Sequence, residues 1–104
     1  MSRRFAILTL ILPLAAARAE TPAAVDFTRD IQAILAARCV NCHGAKKQES
    51  GLRLDSGAGL NRGGDNGPAV AAGKAEESLL FLAVTGKTDL VSKMPAKGEP
   101  LSAE

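Results

Sequence analysis

The sequence predicts an all-α fold: a small domain in which short helices are joined by long glycine-rich loops. Three observations carry this. Apolar residues at Phe27, Ile31, Ile34 and Leu35 recur at the spacing of one helical face. A second apolar run, Leu79 to Val84, follows two glutamates and stops at Gly86. Between them, residues 44–73 contain eight glycines, which suits a wrapping loop.

The chain has 104 residues, one small domain at most. Its start reads as an export signal over residues 1–19. Ser2-Arg3-Arg4 is the positive start and Phe5 to Leu12 the apolar run. Ala17-Arg18-Ala19 puts small residues where a signal peptidase cuts. The apolar run falls short of the ~20 residues that span a bilayer. A periplasmic protein is therefore expected, with a short linker at 20–25, a domain at 26–104 and no stable membrane insertion after cleavage. Removing Arg3, Arg4 and Arg18 leaves 10 basic against 11 acidic residues, a balance of −1. Nothing resembles the basic footprint of a nucleic-acid binder. The chain has no Trp or Tyr, and only Phe27 and Phe81 lie beyond the leader. So thin a core excludes a large enzyme and calls for a staple.

The first helix is expected from Phe27 to about Arg38, capped by Asp26, with its apolar stripe in the core. It runs directly into Cys39-Val40-Asn41-Cys42-His43, the C-x-x-C-H attachment pattern of c-type haem. Two thiols three positions apart can reach the two vinyl groups on one porphyrin edge and form thioethers. The following His43 is then carried under the ring, where its imidazole can bind iron. A thioredoxin-like pair would need a strand before Cys39, and none is evident. Structural zinc needs four ligands, and only Cys39, Cys42 and His43 are present. A disulfide closing so short a loop would stabilise little.

The other axial ligand must come from elsewhere. Met94 is the one soft side chain left, and Pro95 after it disfavours helix, placing it in an extended loop. The alternative is a methionine filling an apolar gap. Lys93 and Lys97 are poorer ligands because they are protonated at neutral pH.

Within residues 44–73, Leu52-Arg53-Leu54-Asp55 suggests a short extended piece, and Leu52, Leu54 and Leu60 are candidates to pack on the porphyrin. Gly63-Gly64-Asp65-Asn66-Gly67-Pro68 is turn chemistry; the Gly-Lys-Ser/Thr of a phosphate loop is missing. The second helix is expected over Ala75–Thr85. Leu101-Ser102-Ala103-Glu104 looks like the opening of a third, with Ser102 as its cap.

With these residues in place, the chain resembles the class I cytochromes c, and most closely the planctomycete-type cytochrome c domain. The matching phrases are Val25-Asp26-Phe27, the haem motif with Gly44, Gly51-Leu52-Arg53-Leu54-Asp55, Glu76-Glu77-Ser78-Leu79-Leu80 and Met94-Pro95-Ala96-Lys97-Gly98. The resemblance implies a helical fold around one covalent haem c, with His43 and Met94 as axial ligands. It also implies a final helix opening at Leu-Ser-x-Glu; the chain ends at Glu104, so the domain is expected to lack that helix.

The expected function is one-electron transfer, with no catalytic residues, to a redox partner or a fused domain. Two alternatives are a haem module serving a catalytic domain of a longer exported protein, and ligand binding or peroxidase-like chemistry at an open iron position.

Overall fold

The computed structural model describes residues 12–13, 15–18 and 23–104. The expected export signal lies largely outside the described residues. Among the described residues three α-helices, α1 (Ala33–Arg38), α2 (Gly57–Arg62) and α3 (Leu79–Thr85), form the regular structure, with a π-helical turn and two 3-10 turns. Among the described residues there is no strand, only two isolated bridges, His43 with Gln48 and Gly64 with Gly67. No helix of these residues is long and apolar enough to cross a membrane.

The first helical segment opens as the π-helical turn Phe27–Gln32 and continues as α1. Asp26 caps it, as expected, accepting from the Arg29 N–H at 2.7 Å. The Asp30 carboxylate reaches back to the Asp26 N–H at 2.8 Å. This is a reciprocal capping box closed from the fourth residue instead of the third, which a widened first turn permits.

Residues 44–73 are not one long loop. Glu49–Gly51 is a 3-10 turn and Gly57–Arg62 is α2. Ser56 starts α2 by accepting from the Gly59 N–H at 3.1 Å. Gly59 is buried, and a Cβ there would run into the Arg53 carbonyl, so this helix packs backbone to backbone on the preceding segment.

The second expected helix is also divided. Ala75–Glu77 is a 3-10 turn, Ser78 is extended at φ −77° and ψ 118°, and α3 begins only at Leu79. The buried Ser78 hydroxyl binds the backbone of Ala71 and Lys74 and so fixes this break. Gly86 ends α3 in the left-handed conformation, as expected. Leu101–Glu104 forms no helix turn.

The core is small. Its buried apolar residues are Leu35, Leu54, Ala69 and Ala83, and no described side chain is fully enclosed. The apolar stripe of the first helical segment is not core as expected. Leu35 is buried, but Phe27 and Ile34 remain 45% and 44% exposed.

Candidate haem-attachment site

α1 delivers the motif by unwinding at its end. Cys39 leaves helical geometry (φ −124°, ψ −40°), yet its N–H still donates to the Leu35 carbonyl at 2.9 Å. The chain then folds into a tight turn, in which the N–H groups of Cys42 and His43 both donate to the Cys39 carbonyl, at 3.2 and 2.9 Å. The two thiols thus leave neighbouring positions of one turn, free and half-buried. Burial pushes the Cys39 thiol up, and the neighbouring Arg38 charge partly offsets this.

Gly44 lets the chain double back beneath this turn. A Cβ there would strike the Val40 carbonyl oxygen and stand 2.8 Å from Val40 Cγ1. Residues 44–49 then form a small loop closed by Gly44 N–H on the Lys47 carbonyl (2.7 Å) and Glu49 N–H on the Cys42 carbonyl (2.9 Å). A Lys47–Glu49 ion pair at 2.9 Å spans its outer side. It holds the Glu49 carboxyl below the usual range, with Lys97 adding to the effect.

That loop brings the Glu49 carbonyl 3.1 Å from His43 Nδ1. A carbonyl only accepts, so Nδ1 carries a proton, and the neutral tautomer this selects has its lone pair on Nε2. His43 is 9% exposed, its carbonyl accepts from Leu54 N–H at 2.8 Å, and the ring has little freedom to turn. Nε2 has no partner among the described residues, and it is not sealed from solvent either.

Cys39, Cys42 and His43 do not converge on one ion: no metal-holding group of three such side chains occurs among the described residues. Free thiols at both ends of one turn, followed by an imidazole held by its own backbone partner, are the donor set that thioether attachment plus iron ligation requires. The residues therefore fit a c-type haem better than zinc.

A family model described as Planctomycete cytochrome C matches residues 39–98, beginning at the first motif cysteine and ending past Met94. The chain belongs to the planctomycete cytochrome C family. Membership carries a haem-binding, electron-transfer role of the cytochrome c kind, and haem c as the group concerned. No curated protein and no solved structure gave a significant match.

Met94 lies outside regular structure in this cytochrome, as expected, half-buried in the segment that follows α3. Its N–H donates to the Ala83 carbonyl at 3.0 Å. The same segment reaches back to the motif, where Arg38, adjacent to Cys39, donates to the Glu99 carbonyl. Lys97 is near enough to lower the Glu49 carboxyl. The segment carrying Met94 thus reaches the motif's neighbourhood through Glu99, and among the described residues no hydrogen bond joins Met94 to Cys39, Cys42 or His43.

An open apolar groove of about 540 Å³ lies beside the motif, between α1 and α3. Ile31, Ile34, Cys39, Phe81, Val84 and Leu101 are among the residues that line it. It meets the motif only at Cys39; Cys42, His43 and Met94 do not line it. Leu52, Leu54 and Leu60 do not line it either, and Leu54 is spent on the protein's own core. Sequence reasoning did not find the Glu49 carbonyl as the partner of His43, because a backbone oxygen leaves no side-chain signal.

Proposed function

We propose that this cytochrome is an exported, periplasmic one-electron carrier with a single covalent haem c. Cys39 and Cys42 would hold it through thioethers, and His43 and Met94 would supply the ligands to its iron. The observation that carries the reading is the His43 Nδ1 bond to the Glu49 carbonyl, which leaves Nε2 as the free donor one residue after two free thiols.

When bound, the haem iron supplies an Fe(II)/Fe(III) couple. The Glu49 carbonyl fixes the His43 tautomer and the orientation of its ring. Met94 contributes a neutral, soft thioether, and a His/Met pair raises the potential relative to harder ligand sets. With His43 and Met94 both on the iron, no position would be left there for a substrate, and the chain's task would be to exclude water and present the group to a redox partner or fused domain.

The oxidised holoprotein should show the near-infrared sulfur-to-iron charge-transfer band, and Met94→Ala should abolish it. A wild-type protein without that band has an open position, which favours the ligand-binding or peroxidase-like alternative.

A further inference from the structure

The segment after α3 leaves that helix and returns to it. Gly86 ends α3 at φ 68° and ψ 25°. The Lys87 N–H donates to the Leu82 carbonyl at 2.9 Å, and the Met94 N–H to the Ala83 carbonyl at 3.0 Å. Consecutive carbonyls at one helix end therefore anchor both ends of the excursion. The Ala83 oxygen also accepts from the Gly86 N–H, at 3.2 Å. One buried residue thus serves both the helix cap and Met94.

Lys93 adds a second link. A Cβ at Gly86 would stand 3.1 Å from Lys93 Cδ and 3.5 Å from Cγ, so the lysine stem lies across the cap. Lys93 immediately precedes Met94. A side chain at position 86 acts toward Met94 by two routes: it opposes the left-handed backbone that sets the shared Ala83 bond, and it presses on the stem of Lys93, the residue before the thioether.

We propose that Gly86 is a positioning residue for Met94: the cap that ends α3 also sets where the thioether is presented. This rests on the reading of Met94 as an axial ligand. Gly86 itself touches no iron and is exposed, so a general loss of core packing is not the expected effect of changing it.

The test uses the oxidised holoprotein, titrated with imidazole as a competitor for the methionine position. Wild type should show the near-infrared band and resist imidazole. Gly86→Ala should bind imidazole about tenfold more tightly, equivalent to about 1.4 kcal/mol taken from the Met94 bond. Lys93→Ala should shift in the same direction by less. Should Gly86→Ala fail to fold, Gly86→Asn tolerates the left-handed region and is read by the same titration, also with a shift toward tighter binding. A wild-type band together with unchanged imidazole affinity in the folded Gly86 variant overturns the positioning role while leaving Met94 as ligand. A wild-type protein without the band overturns the ligand reading itself, and the positioning role with it.

Discussion

His43 is held by groups that a reader of the sequence cannot see. The C-x-x-C-H pattern names the imidazole, because that order of side chains is needed for two thioethers and a ligand below the ring. The orientation comes from a carbonyl six residues on, brought round by a loop that Gly44 permits. Gly44 is legible only as a glycine until the Val40 carbonyl is seen where its Cβ would be. Gly44→Ala should therefore cost about 1–3 kcal/mol, the usual range for forcing an extra methyl into a packed site. Thermal melts of the holoprotein check this, and an unchanged melting temperature would mean that the turn opens freely. The thiols were readable by spacing alone. That Met94 lies outside regular structure was readable from Pro95, but its Ala83 anchor was not.

At the scale of elements, helices with a strong local signal were found, and those stabilised by contacts of the backbone were not. Asp26 and the stripe from Phe27 to Leu35 announced the first helix, and Gly86 announced the end of α3. α2 was invisible because two of its six residues, Gly57 and Gly59, oppose helix. Its Ser56 cap and the close approach to Arg53 override that preference. The break at Ser78 was hidden because its cause, hydroxyl bonds to residues 71 and 74, is tertiary. The capping box of the first helix gives a measurable consequence. Asp26→Ala should destabilise the protein by about 1 kcal/mol. Its partner Asp30 is held below the usual carboxylate range by Arg29, then by the Asp26 N–H. A carboxyl lowered in the folded state stabilises above its unfolded value, roughly 3.9. That contribution fades as pH falls through the depressed folded value. Asp30→Asn should therefore flatten the acid limb of the stability profile, and an unaltered limb would show that neither the Arg29 pair nor the box holds in solution.

At the scale of the whole molecule, the described residues bury little apolar surface. Four apolar residues, two of them alanines, make up the buried apolar core of the described residues, while Phe27, Ile34 and Val70 stay 38–45% exposed. A chain of this size normally needs a staple, and a covalent porphyrin supplies apolar surface that the side chains lack. The all-α class and the small size were legible from periodicity and length. The exposed stripe on the first helical segment was not, because periodicity says which face is apolar and not what covers it. The double variant Cys39→Ala with Cys42→Ala should yield a haem-free chain without a cooperative unfolding transition by circular dichroism. A sharp melt in that variant would show that the protein's own contacts suffice.

The central claim, that haem is bonded to both motif cysteines, is tested most directly by the intact mass of the chain purified after expression with a haem-attachment system. A polypeptide heavier by one haem, with the addition retained under denaturing conditions and lost from the double cysteine variant, is the predicted result. Recovery of the bare polypeptide mass, with Cys39 and Cys42 free or joined to each other, would contradict it.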